Sequence, residues 1–221
     1  MRKINQYLFA AVATCAVTMA LVVPRNAAIA QDRDAEEDGL SKDTSGKTQN
    51  RHSRVPNTKR LESEQAETLY QKNKAQLTSS YSRSGDKIAR DYTKWRRANT
   101  APYPSFSHGR RFLNNYLNSK AKAYLNYKNA GKLPTGAVIA KDSFAVAKNG
   151  KIIAGPLFLM EKMPPGFNYV SGNWRYTTIA PDGTMVGQTN GTNSDGMKFC
   201  ITCHLAAEKH DHLFFFPKEY R

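Results

Sequence analysis

Five residues close to the C-terminus constrain this chain more than any other feature: Cys200-Ile201-Thr202-Cys203-His204. Two cysteines three apart, followed at once by histidine, form a haem-attachment signature. Each thiol adds across a haem vinyl group, and the adjacent His204 is placed to ligate the iron from one face. A disulfide is the other use an exported chain has for two cysteines. The immediate histidine favours haem. Of the three cysteines in the chain, only Cys15 lies elsewhere, in the N-terminal apolar run.

The motif comes late, and that restricts the fold. Only 17 residues follow His204, and none is methionine. Small electron-transfer cytochromes c are largely helical, carry the motif near their start and use an axial methionine downstream. The four-helix cytochromes c′ do carry it late, but the residues before it here read as hairpins. Residues 137–147 form an expected strand, Asn149-Gly150 a tight turn, and residues 152–160 the returning strand. Residues 173–180 are a further strand, Pro181-Asp182-Gly183 a turn, and residues 184–187 a short return. Ser119 is placed to cap a short helix that ends before Gly131. The expected class is α+β: a mainly antiparallel sheet with a few helices and one haem attached near the C-terminus.

The rest of the chain sets the context. Arg2 and Lys3, an apolar run from about Tyr7 to Val23, and Ala28-Ile29-Ala30 have the layout of a secretory signal peptide cleaved near Ala30. This implies a periplasmic or otherwise exported protein, where haem is added after export. Residues 31–85 are expected to be a polar segment, largely disordered or partly helical, because they carry few apolar residues to offset ordering entropy. Within residues 61–98, Leu61, Leu69, Tyr70, Leu77, Ile88, Tyr92 and Trp95 return at partly helical spacing. The compact haem domain is expected over residues 86–221. The net charge is +15, of which Arg2, Lys3 and Arg25 contribute three. Such a surface suits an acidic redox partner or a membrane. Export and the lack of a recognition motif argue against nucleic acid.

Several blocks together resemble the cytochrome P-460 family, which includes the cytochrome c′-beta proteins. They are Gly155-Pro-Leu-Phe-Leu-Met-Glu-Lys-Met-Pro-Pro-Gly-Phe167, Gly172-Asn-Trp-Arg-Tyr176, Pro181-Asp-Gly183, Phe199-Cys-Ile-Thr-Cys-His204 and Leu213-Phe-Phe-Phe-Pro-Lys-Glu-Tyr-Arg221. The resemblance spans residues 91–221. It implies a mainly antiparallel sheet, usually in a homodimer, and a five-coordinate haem c with His204 proximal and the distal side open. In cytochrome P-460 proper a lysine is cross-linked to the haem, and the enzyme oxidises hydroxylamine and passes electrons to an external acceptor such as another cytochrome. In cytochrome c′-beta the cross-link is absent and the protein binds nitric oxide.

The resemblance also proposes site residues. Gly136-Ala-Val-Ile-Ala-Lys141 matches the Gly-x-x-x-x-Lys pattern of the cross-linking lysine. A core-facing Lys141 would be desolvated and more nucleophilic; its ordinary alternatives are solvent, or Asp142 at a strand edge. Asp195 matches a distal carboxylate that serves as general base, with a turn role in Ser194-Asp195-Gly196 as the alternative. Arg111 matches a pocket arginine, with Arg110 beside it. Met160, Met163, Met185 and Met197 read mainly as packing residues. His210 and His212 are metal-ligand types but read mainly as a solvated loop, and nothing in the sequence around His108 assigns it a role. Three functions stand: oxidation of hydroxylamine or a related small nitrogen compound, nitric oxide binding or scavenging, and plain electron transfer.

Overall fold

The computed structural model describes residues 54–221. The expected signal peptide, its cleavage near Ala30 and the polar run to residue 53 lie outside the described residues. The strands, in chain order, are β1 (Arg96–Arg97), β2 (Tyr103–Ser105), β3 (Arg111–Leu117), β4 (Val138–Val146), β5 (Ile152–Ala154), β6 (Leu157–Lys162), β7 (Trp174–Ile179) and β8 (Met185–Gln188). They make one antiparallel sheet in the order β1-β3-β4-β6-β7-β8, with β2 also on β3 and β5 also on β4. The α-helices are α1 (Ser63–Ser82), α2 (Lys87–Asp91) and α3 (Lys198–Leu205). The architecture is the expected α+β class.

Strand alternation sorts the side chains into two layers. Leu113, Leu117, Ile139, Met160, Trp174 and Tyr176 point to one face and pack with Met197, Cys200, Leu213 and Phe216. This is the motif face. Phe112, Tyr116, Ala140, Phe144, Leu157, Leu159 and Ile179 point to the other, where Ala66, Tyr70, Leu77 and Tyr81 of α1 cover them. Central strands β3 and β4 are buried along their whole length because both faces are covered.

Three expectations change. Residues 63–82 belong to the segment expected to be largely disordered or partly helical and outside the domain; the helix is present, but it is part of the domain. They form α1, whose buried residues recur at helical spacing and close the second face of the sheet. Their polar composition reflects the helix's outer side. Residues 119–129 form 3-10 turns capped by Asn118, not Ser119; the Asn118 side chain accepts from Ala121 N. The strand returning after Asn149-Gly150 is broken at Gly155-Pro156. Phe144 pairs with Ala154 but Lys141 with Phe158, so three steps on β4 meet four on the partner. This is a bulge. Proline lacks the N–H a regular ladder needs. A Cβ on Gly155 would stand 2.2 Å from Ser143 Oγ and 2.6 Å from Arg111 Cδ, so only glycine allows the bulge to lie this close.

Candidate functional site

Helix α3 carries the motif. Positions three and four apart share a helix face, so Cys203 and His204 both neighbour Cys200. Cys200 is buried, Cys203 is exposed, and no disulfide joins them. Burial pushes the Cys200 thiol up to about 12. His204 is buried between Tyr176 and Phe214, with ring centroids 5.0 and 5.2 Å away. Its Nδ1 lies 2.7 Å from the His212 carbonyl oxygen. A carbonyl only accepts, so Nδ1 carries the proton and the lone pair sits on Nε2. That is the tautomer a metal-ligating histidine requires, held by the outer contact such ligands usually make.

The His212 carbonyl is aimed by an uncommon turn. Asp211 and His212 are consecutive left-handed residues, with φ of 57° and 62°. Both are buried, which corrects the expectation of a solvated loop. The Asp211 carboxylate accepts from Lys162 Nζ and, at 2.8 Å, from Leu133 N. The Asp211 carbonyl accepts from Trp174 Nε1 at 2.8 Å. Lys162 Nζ also donates to the Gly172 carbonyl at 2.9 Å.

Lys141 projects from β4 to the motif face and is only 5 % exposed. Burial pushes its amine down to about 8, while the Cys203 thiol, when ionised, acts on it in the opposite sense. The lysine thus lies within electrostatic reach of the motif. Asp142 is no partner for it. That carboxylate points to the other face, where it accepts from Tyr70, Tyr92 and Asn114. Nor is β4 an edge strand, since β3 and β6 flank it.

Arg111 is buried at the start of β3 on the motif face, whereas Arg110 is exposed with φ of 58°. Of the two, Arg111 is the one buried against the motif face. Burial lowers its pKa, and its Nη1 donates to the His108 carbonyl at 3.2 Å. The His108 ring packs edge-on to Phe158, with centroids 5.1 Å apart, and its Nδ1 lies 3.1 Å from Ser105 Oγ. Phe158 is paired with Lys141 across the ladder. Lys141, Phe158, His108 and Arg111 are thereby gathered at one end of the motif face. Sequence reasoning missed His108 because its neighbour Phe158 is 50 residues away, with nothing local to signal the contact.

Asp195 does not join this group. Its side chain is 89 % exposed and pairs with Lys198 at 2.8 Å, which holds its carboxyl below the usual range. Among the described residues the buried carboxylates are Asp142 and Asp211, and both are engaged as above. The aromatic residues divide as well. Phe158, Trp174 and Tyr176 belong to the motif face, Phe112 and Phe144 to the other.

These residues fit a haem. His204 presents the required tautomer, two thiols stand at attachment spacing, and aromatic rings line the face. The Tyr176 hydroxyl is buried with no hydrogen-bond partner among the described residues. Its pKa is raised by burial first, then by Cys200, Asp211 and Cys203. A buried hydroxyl within electrostatic reach of both thiols suits a bound group with polar atoms. No curated protein matches the chain. Residues 89–215, more than half of its length, match the family described as Cytochrome P460, and with this fold and this haem-compatible face the chain belongs to that family of haem proteins.

Proposed function

We propose that this chain is an exported haem c oxidoreductase that oxidises hydroxylamine or a related small nitrogen compound. It would carry one haem bonded to Cys200 and Cys203 with His204 as axial ligand, work in the periplasm as a homodimer, and pass electrons to an external acceptor such as another cytochrome. The observation that carries this reading is Lys141: a buried amine with a depressed pKa of about 8, on the face that receives the motif and within reach of Cys203. When bound, haem would supply a redox-active iron able to take a small ligand. Lys141 would place its amine against the macrocycle, and the lowered pKa leaves a larger share of it unprotonated at neutral pH than in an ordinary lysine. A bond from this nitrogen to a haem carbon would replace one N–H and one C–H, releasing two protons and passing two electrons to the external acceptor. Arg111 orients a polar ligand. His108 replaces Asp195 as the group that takes protons, since it stands on the correct side of the sheet.

Nitric oxide binding without turnover is the second reading. It is favoured by one observation: Asp195 is exposed and tied to Lys198, so the expected distal carboxylate does not join the buried group. The test is to replace Lys141 with leucine and record the ferrous absorption spectrum and intact mass of the haem-loaded protein. A parent Soret band strongly displaced to the red, lost in the variant, supports the lysine bond. An ordinary c-type spectrum in both ends it. Tight nitric oxide binding without hydroxylamine turnover on an artificial acceptor moves the protein to the second reading.

A further inference from the structure

We propose that the buried Lys162–Asp211 ion pair is the positioning element for His204. It holds the left-handed turn that lays the His212 carbonyl on the His204 Nδ1–H. The inference rests on His204 as axial ligand and on no part of the substrate assignment.

The geometry runs in one chain of contacts. Lys162 closes β6, and its Nζ reaches both the Asp211 carboxylate and the Gly172 carbonyl. Asp211 is fixed on two further sides, by Leu133 N and by Trp174 Nε1. The next residue, His212, delivers its carbonyl to His204. Two consecutive non-glycine residues at φ of 57° and 62° are held only where the surroundings over-determine them. Gly172 braces the turn from its other side. A Cβ there would stand 2.4 Å from His212 Cδ2.

Stability alone is a poor explanation for the pair. Desolvating two charges cancels much of their attraction, and apolar replacements of such pairs are often neutral or better. A geometric role accounts for the pair and for all its side contacts. An Nδ1–H held by a carbonyl makes the imidazole a stronger donor at Nε2. A stronger donor favours the oxidised metal, so loosening the contact should weaken the axial bond and raise the reduction potential.

The experiment compares K162M, D211N, K162R and G172A in the haem-loaded full chain. It reads the ferrous iron–histidine stretch by resonance Raman, the midpoint potential, the melting temperature and the haem content. K162M and D211N should both lower the stretching frequency and both raise the potential, and the double variant should shift no further than either single one. K162R should stay nearer the parent. G172A, which removes neither charge but strains a backbone at φ of 61° and presses on the His212 ring, should shift in the same direction as D211N. Opposite potential shifts in K162M and D211N overturn the proposal, because a plain field effect of two opposite charges gives that result. A lowered melting temperature with stretch and potential unmoved overturns it too. If K162M and D211N fail to take up haem, G172A decides: an unmoved stretch there ends the proposal. A five-coordinate ferrous parent lacking any iron–histidine band would instead remove the assignment of His204.

Discussion

Lys141 and Asp142 are adjacent in β4 and buried on opposite faces of the sheet, the lysine toward the motif and the carboxylate into a tyrosine cluster. Tyr70 donates to Asp142 at 2.6 Å and Tyr92 at 3.0 Å. Because the single Tyr70 proton goes to the carboxylate, Tyr116 donates to Tyr70, at 2.5 Å. Two ionisable neighbours that look like a local pair in sequence are separated by the thickness of the sheet.

The pH dependence of stability follows from Asp142. Burial raises its pKa, and the hydrogen bonds from Tyr70, Asn114 and Tyr92 offset this only in part. From about pH 3.8 up to the raised folded value, the folded chain keeps a proton that the unfolded chain has lost. Stability from this group is therefore fully present below the unfolded pKa and declines as pH rises through that window. Replacing Asp142 with asparagine should favour the variant more at pH 7 than at pH 4 in urea unfolding. A gap between the two proteins that ignores pH would show an unshifted carboxyl.

The tyrosine donors should matter individually. Removing the Tyr92 hydroxyl, as in Tyr92→Phe, withdraws a bond to a buried carboxylate and should cost about 1.5–3 kcal/mol. Thermal unfolding of this variant, of Tyr70→Phe and of the double variant measures it. The double loss should differ from the sum, since both hydroxyls serve the same oxygen.

Asp195 should be dispensable. An exposed carboxylate paired with Lys198 at 2.8 Å within one turn is screened by solvent and adds little to stability. Under the proposed function, Asp195→Asn should leave the rate of hydroxylamine oxidation within about twofold of the parent, because a group so exposed does not exchange protons at a buried site. A loss of a hundredfold or more would restore it as the general base.

The sheet and its hairpins were legible because alternation and turn residues such as Asn149-Gly150 are local signals. The motif was legible because Cys200, Cys203 and His204 act as a contiguous unit. Lys141 needed a family pattern, since a lysine in an apolar strand reads equally well as an edge residue until its strand is known to be central. His108, the Lys162–Asp211 pair and the His212 carbonyl were not legible. Each works through a partner that only the fold brings near, and a backbone carbonyl leaves no mark in side-chain identity.

The bulge at Gly155 gives a further test. Tyr81 of α1 donates to the Gly155 carbonyl at 2.7 Å from the helix side, while Ser143 Oγ and Arg111 Cδ crowd the Cα from the motif side. Gly155→Ala should therefore destabilise the chain by about 1–3 kcal/mol. It should also displace Arg111, weakening polar ligands more than apolar ones. Adding Ser143→Ala removes the nearest clashing atom and should return part of the stability. No recovery would mean that the backbone, not Ser143, bears the strain.

Residues 63–82 decide whether the domain is independent of what precedes residue 86. A chain starting at residue 86, where composition alone would cut, would uncover Phe112, Tyr116, Phe144, Leu157, Leu159 and Ile179 and would strip Tyr70 from Asp142. Burying Tyr70, Leu77 and Tyr81 is worth about 1.5–3 kcal/mol each, against a usual total stability of about 5–15 kcal/mol. A chain starting at residue 55 keeps all of α1. The longer chain should give a cooperative melt and take up haem, and the shorter one should aggregate or bind a hydrophobic dye without a cooperative melt. If the shorter chain melts cooperatively within a few degrees of the longer one, α1 is an appendage and the second face of the sheet is stable without it.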